Sequence, residues 1–403
     1  MTTTWITGGT VVLENQTVSA DLEIVDGILR SIHFDGRPEN EAGSDATYID
    51  ATGLYVLPGM IDLHTDAIEK EVQPRPGAEF PLDVAFRELE RRMVSNGITM
   101  AYHSLSMSGG KGIRGNRLIE KVIRRLCDLR ETRTMMRHRV HLRYELSNEA
   151  GRPLAEALIR EGMVHLLSYM DHSPGQGQFK NTGNYANYLL KTYGAEGILA
   201  QSKVQEMERL RAQRTWGELA PLTKHAIDAN IRIASHDDDS LEKVDMMQDL
   251  GVTISEFPIN LHTAHYAKSR QLYVSVGAPN VVRGGSHSQN LNAREAIQSG
   301  AANIVCSDYH PSSMLTAVFQ LMQEGMSLSE AVKLVSIHPA RAVGIDSQYG
   351  SIQVGKRADL ILVERIEGQP VVRNTMIDGR VVYETHYDLL NVEVHQTMSV
   401  GNT

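Results

Sequence analysis

The chain has 403 residues, of which 41% are hydrophobic and 22% charged, an ordinary globular composition that excludes disorder over most of its length. Its 49 acidic and 40 basic residues leave a net charge of −9, which argues against general nucleic-acid binding, and 5% aromatic content argues against a stacking platform for single strands. No apolar run is long enough to span a membrane, Met1 to Thr10 lacks the blocks of a signal peptide, and only Cys127 and Cys306 occur. A reducing cytoplasm is the expected setting, with no nucleic-acid or membrane partner.

Residues 1–57 read as short strands. Trp5 to Val12 is β-rich, Asp21 to Ile32 breaks at a hairpin signal, Asp26-Gly27, and Leu54 to Leu57 stops at Pro58-Gly59. From Pro58 onward, short apolar strands alternate with amphipathic helices. Ile61 to Asp66 is strand-like, and Phe86, Leu89 and Met93 follow at helical spacing. Ile98 to Tyr102 is a second strand, with Ile119, Val122, Ile123 and Leu126 marking the next helix. Further strands are expected at Val140–Glu145, Val164–Met170, Ile231–Ser235, Val252–Phe257, Tyr273–Val276 and Asn303–Cys306. Eight such units fit an α/β fold of the (β/α)8 TIM-barrel type, with a doubly wound open sheet as the competitor. The tail returns to strands at Ala358 to Val363 and at Thr375 to Tyr383, around Asp378-Gly379. The expected organisation is a barrel over 58–345 and a small β-sandwich domain built from both termini, 1–57 and 346–403.

The chemistry gathers at the strand ends. In a strand, alternate side chains share a face, so His64 and Asp66 point together, as an imidazole and a carboxylate that suit zinc or a similar divalent ion. Taken alone, the pair is equally well two polar residues with ordinary hydrogen bonds. Yet Glu145, Asp171-His172, His236-Asp237-Asp238-Asp239 and Asp308-Tyr309-His310 repeat the pattern after other apolar strands. Barrel active sites sit at that end of the strands, and the recurrence predicts a metal centre.

These segments carry a resemblance. The first-strand motif Pro58 to Asp66, the Ser307-Asp308 strand end, His338 to Ile345 and Gly350 to Leu360 together resemble the amidohydrolase superfamily over the whole chain. Two departures narrow it. The usual His-x-His is His64-Thr65-Asp66, and no lysine stands where that superfamily places a bridging carboxylated lysine. With Ser168 to Phe179, Ser255-Glu256-Phe257-Pro258 and Gly277 to Ser288, these departures resemble the phosphonate-metabolism protein M family of the carbon–phosphorus lyase pathway. That family converts α-D-ribose 1-methylphosphonate 5-triphosphate to the 5-phosphate and pyrophosphate. The resemblance implies a binuclear centre, with two Zn2+ or alternatively Mn2+ or Fe2+. His64, Asp66, Glu145 and Asp308 would hold one ion, and Glu145, His172 and His236 the other. If the centre takes a single ion, Glu145 would instead support a ligand from behind.

A phosphoanhydride suits such a centre, because metal ions neutralise a phosphoryl oxygen and generate hydroxide near neutral pH. Asp308 is expected to orient that hydroxide and take its proton, and His310 to protonate the leaving group. Lys111 and Arg114, in the loop Gly109-Gly110-Lys111-Gly112-Ile113-Arg114-Gly115, are candidate phosphate contacts, and equally a solvated turn. Arg283, His287 and Arg75 are further candidates, with Arg143 and Lys180 weaker; His262 and His265 read as surface residues. Cys306, on an apolar strand, reads as packing. The expected partner is a small anionic sugar triphosphate, and a homo-oligomer is the expected assembly. Two rivals stand beside this reading: hydrolysis of a C–N bond, as in a deacetylase, deaminase or cyclic amidase, and an inactive scaffold that keeps the barrel alone.

Overall fold

The computed structural model describes residues 2–37, 46–75, 77–109, 112–132, 134–173, 205, 209, 215–285 and 291–387. The first strands are β1 (Thr3–Val12), β2 (Thr17–Val25), β3 (Ile28–His33), β4 (Thr47–Asp50) and β5 (Tyr55–Pro58). With β14 (Leu360–Ile366), β15 (Gln369–Ile377) and β16 (Arg380–Glu384), they form one sheet in the order β16-β15-β14-β5-β1-β2-β3, with β4 also paired to β1. The two hairpin signals are realised as turns. Asp26 and Gly27 have φ of 49° and 81°, and Asp378 and Gly379 have 48° and 68°, the paired left-handed residues that a tight two-residue hairpin needs. Both turns bond the same residue, with the Ala358 N–H donating to the Gly27 carbonyl and the Gly379 N–H to the Ala358 carbonyl, each at 2.9 Å. The sheet thereby curls over its own core of Leu22, Ile24, Val56, Leu360 and Leu362. The expected sandwich is thus one continuous curled sheet rather than two separate ones.

Eight parallel strands follow: β6 (Met60–Thr65), β7 (Ile98–Met107), β8 (Arg137–Glu145), β9 (Leu166–Met170), β10 (Arg232–His236), β11 (Ile254–Glu256), β12 (Tyr273–Gly277) and β13 (Ile304–Cys306). Their order in space is their order in the chain, with no reversal, which rules out the doubly wound alternative. The ring closes just past β13. The Asp308 N–H donates to the His64 carbonyl at 2.9 Å, and the Asp66 N–H donates to the Asp308 carbonyl at 2.8 Å. Buried Asp62 reinforces the seam by accepting from the Ser307 N–H at 2.9 Å and from its hydroxyl.

The helical spacing predicted from sequence is also realised. Helix Leu82–Val94 buries Phe86, Leu89 and Met93, and helix Asn116–Arg130 buries Ile119, Val122, Ile123 and Leu126 against the barrel's outer face. Each such side chain contributes about 1.5–3 kcal/mol. Inside, Ile61, Leu63, Met100, Tyr102, Leu166, Ala234, Ile254 and Ile304 fill the lower layers, closed from below by Ile337 and Ala340. This apolar plug leaves polar side chains only the upper end of the barrel.

The curled sheet docks on the barrel through Ile361 and Val363, which belong to the barrel's outer core. Arg137 clamps the junction with a two-pronged bond to Asp359 at 2.7 and 3.0 Å and a third bond to Asp378 at 2.7 Å. At the crossing from β5 to β6, a Cβ on Gly59 would overlap the Thr99 side chain, so only glycine fits.

Candidate metal centre

The polar layer is built by strand alternation. His141, Arg143 and Glu145 occupy every second position of β8 and face the barrel axis beside Ser104 and Ser106 of β7. His236 and Glu256 end their strands and enter from the other side. Three residues just past strand ends, Asp237, Phe257 and Asp308, have φ of 54°, 53° and 56°. Asp tolerates this left-handed conformation; for Phe257 it is a costly one, held by its neighbours. The Phe257 N–H donates to the Ser275 carbonyl at 3.0 Å, and its ring packs edge-on against His64 at 4.8 Å.

Six residues were expected as ligands, and five of them fall into two donor sets. His64, Asp66 and Asp308 form one, and His172 and His236, joined by Asp237, form the other; within each set, donor atoms lie within 4.8 Å of one another. The sixth, Glu145, is placed differently from a bridge. Both its oxygens face His172, one accepting the backbone N–H and the other Nδ1–H, each at 2.9 Å. Glu256, which the sequence reading left without a role, does the same for His64, accepting Nδ1–H at 3.1 Å, while the Ser168 hydroxyl donates to its other oxygen at 2.9 Å. Each histidine therefore turns Nε2 toward an acid: His64 toward Asp66 at 3.9 Å and His172 toward Asp237 at 3.8 Å. A carboxylate behind a ligand histidine fixes its tautomer and raises its basicity.

The electrostatics follow. Burial disfavours the Glu256 and Glu145 carboxylates, but nearby histidines more than offset it and hold both well on the ionised side. Burial likewise raises Asp66, and the Arg143 guanidinium, with His64, brings it below the usual range. Arg143 lies between the two sets, donating to Asp66 Oδ1 and to His236 Nε2, each at 3.0 Å.

The donor chemistry fits a divalent cation. Among the described residues, His141 Nε2 is buried without a hydrogen-bond partner, an expensive state that an ion relieves. His141 forms a third set with His64 and Glu256. Burial holds its ring pKa down at about 3, so the ring is neutral. Nitrogen and carboxylate oxygen donors suit zinc, manganese or iron. His141 and Glu256 escaped the sequence reading as ligand-type residues, and Asp237 entered it only as part of the strand end His236 to Asp239; for His141 the period-two run His141, Arg143, Glu145 was the signal available.

The remaining expected residues lie further out. His310 is exposed, and its ring pairs with the Ser312 hydroxyl at 3.1 Å. Arg114 binds Glu69 through Nε at 3.1 Å and Nη2 at 3.0 Å, so this cation is anchored to the helix that follows Asp66. Arg75 and Arg283 are exposed on loop and helix ends. Lys111, Lys180 and His287 lie outside the described residues. His262 and His265 are exposed on helix Leu261–Ser269, and Cys306 is buried, both as expected.

Comparison with known proteins adds independent support. Residues 217–382 match the model of the amidohydrolase family. The chain is 35% identical over 384 residues to the alpha-D-ribose 1-methylphosphonate 5-triphosphate diphosphatase of Escherichia coli (strain K12), covering 93% of this chain and 98% of that protein. A shorter stretch of 79 residues is 39% identical to the imidazolonepropionase of Geobacillus sp. (strain WCH70), covering 18% of this chain and 19% of that one. Among solved structures, a Xaa-Pro dipeptidase with bound methionine superposes with a TM-score of 0.65 at 15% identity, over 95% of this chain and all of that one. The N-acetylglucosamine-6-phosphate deacetylase from Pasteurella multocida gives 0.61 at 13% identity, over 94% of this chain and 99% of that one. These two likenesses speak to the fold alone. The near full-length relative, the family match and the ring of strand-end acids and imidazoles agree, and the chain belongs to the amidohydrolase family.

Proposed function

We propose that this chain is a metal-dependent hydrolase that cleaves α-D-ribose 1-methylphosphonate 5-triphosphate to the 5-phosphate and pyrophosphate. The observation that carries this reading is the 35% identity, over nearly the whole of both chains, to the Escherichia coli diphosphatase. The strand-end acids and imidazoles support it. A divalent ion, zinc or alternatively manganese or iron, would be held by His64, Asp66 and Asp308, with Glu256 behind His64; His172, His236 and Asp237 form the second donor set, with Glu145 behind His172. Such an ion polarises a phosphoryl oxygen and makes water acidic enough to react near neutral pH.

The chain's own groups do the rest. Asp308, on its left-handed turn at the seam, holds a carboxylate at the mouth that accepts a proton from the attacking water. Phe257 packs against His64 and His236 and shields the two rings. Arg143, fixed among the ligands, and Arg114, fixed to Glu69, place positive charge where a polyanion enters, which the chain's net charge of −9 does not provide. His310, Arg75, Arg283, Lys111 and His287 are the remaining candidates for the leaving group and phosphate tail. The catalytic unit is the barrel of residues 58–345, with residues 1–57 and 346–403 as its β-domain. No described helix is long and apolar enough to cross a membrane. The setting is a reducing cytoplasm, and the working form a homo-oligomer.

The test is a product assay by phosphorus NMR, with metal-loaded protein, the ribosyl triphosphate, ATP and a panel of N-acyl compounds. Pyrophosphate from the ribosyl compound alone is expected. Release of ammonia or acetate without pyrophosphate would move the chain to the C–N hydrolases of its family, and no turnover of any compound would favour the scaffold.

A further inference from the structure

Arg143 sits where the resemblance would place metal chemistry. Its side chain is 6% exposed, and it lies two residues before Glu145 on β8. Nη1 donates to Asp66 Oδ1 at 3.0 Å and to the Ser106 hydroxyl at 3.3 Å, and Nη2 donates to His236 Nε2 at 3.0 Å. A guanidinium has donors only and keeps its charge in any protein setting. His236 Nε2 must therefore offer its lone pair to Arg143, and the ring's single proton stands on Nδ1, 3.2 Å from Asp237 Oδ1.

In that state neither ring nitrogen is free for a metal ion. An ion on Nε2 would displace the guanidinium. An ion on Nδ1 would move the ring proton to Nε2, where two donors would then face each other. The contact and the ligation exclude one another. The His236 backbone is held in place as well, since Lys243 Nζ donates to its carbonyl at 2.8 Å and to that of Asp237 at 3.0 Å. Withdrawing Arg143 instead would strand a buried charge. The set of His64, Asp66 and Asp308 is not blocked in this way, since Arg143 takes only one of the two Asp66 oxygens.

We propose that Arg143 is a resident cation standing in for one of two metal ions, so that the chain carries a single divalent ion on the His64, Asp66 and Asp308 set. The inference rests on the metal-dependent reading above and replaces a binuclear centre with one ion and one guanidinium. Such a pairing keeps two cations at the mouth while only one of them depends on metal supply.

The test counts ions and needs no turnover. Full-length protein is stripped with chelator, reloaded with zinc, freed of excess by gel filtration and analysed by inductively coupled plasma mass spectrometry. One zinc per wild-type chain is expected, two per Arg143→Met chain, and one per Arg143→Lys chain, with melting curves confirming the fold. As a second measurement on the wild type, electron paramagnetic resonance of the manganese-loaded protein should show an isolated ion without exchange coupling. Two zinc ions or a coupled manganese pair in the wild type would overturn the proposal, as would a single zinc in a folded Arg143→Met chain. Failure of the pyrophosphate assay would instead strike the substrate reading and leave the ion count untouched.

Discussion

Glu145 holds His172 by two bonds of 2.9 Å, one to its backbone N–H and one to Nδ1–H, and so leaves neither of its oxygens aimed at the middle of the barrel. The arrangement makes Glu145 a positioning residue whose loss is felt through His172. Glu145→Gln keeps an acceptor but removes the charge that favours Nδ1–H, and Glu145→Ala removes both. Losing bonds to a buried polar group costs about 1–3 kcal/mol. Melting curves should show lower stability in both variants, more in Ala than in Gln, with turnover falling in parallel. An Ala variant as stable and as active as wild type would remove Glu145 from the centre.

Metal removal should destabilise the fold as well as stop turnover. The donor atoms of His64, Asp66 and Asp308 come from β6 and the turns after β6 and β13, so an ion ties together the first and last strands of the ring. A ligand at 100 times its dissociation constant stabilises the native state by about 2.7 kcal/mol. Chelation should lower Tm by several degrees and abolish hydrolysis, and zinc, manganese or iron should restore both. Full activity after exhaustive chelation would refute metal dependence.

The architecture was legible because its signals are local. Hairpin dipeptides at Asp26-Gly27 and Asp378-Gly379, and helical spacing in Phe86, Leu89 and Met93, each act within a few residues. The clustering of His64, His172, His236 and Asp308 at one end of the barrel was legible in the same way, since all four stand at strand ends. What stayed hidden depends on pairs far apart in the chain. Glu256 acquires its role only by lying 3.1 Å from His64, 192 positions away, and Arg143 only by reaching His236, 93 positions away. The sequence left Glu145 open between a bridge and a support behind a ligand for the same reason, because it shows a carboxylate but not that both oxygens meet His172.

A pH effect unrelated to the centre is expected at His165. Burial, with the neighbouring Arg130 charge, pulls this ring down to about 3, and Arg130 Nη1 lies 2.8 Å from its Nε2. In the unfolded chain the ring titrates near 6.5. Below that value the unfolded state binds a proton that the folded state refuses, so stability is fully present above pH 6.5 and falls as the pH drops toward 3. Each pKa unit corresponds to about 1.4 kcal/mol. Urea melts between pH 7 and 4 should show a smaller loss for His165→Asn than for wild type. Parallel losses in the two proteins would show that other groups govern the acid limb.

The Asp308 carboxylate is expected to take the proton of the attacking water, and its backbone dictates which substitution can test that role. At φ of 56°, with its N–H bonded to the His64 carbonyl, position 308 closes the barrel in a conformation that Asp and Asn tolerate better than other side chains. Asp308→Asn should therefore keep the seam and, in metal-saturated protein, the melting temperature, while removing the proton acceptor. A general base contributes about 10²–10⁴-fold, so kcat should fall by that factor while KM changes little. Asp308→Ala should lose as much activity and also about 1 kcal/mol of stability, from a Cβ forced into the left-handed region without a polar side chain to support it. If Asp308→Asn instead kept near wild-type kcat, the proton would have to pass to another group. His310 would be the next to test, because its backbone N–H bonds the Ser307 carbonyl at 2.9 Å and holds it beside the same turn.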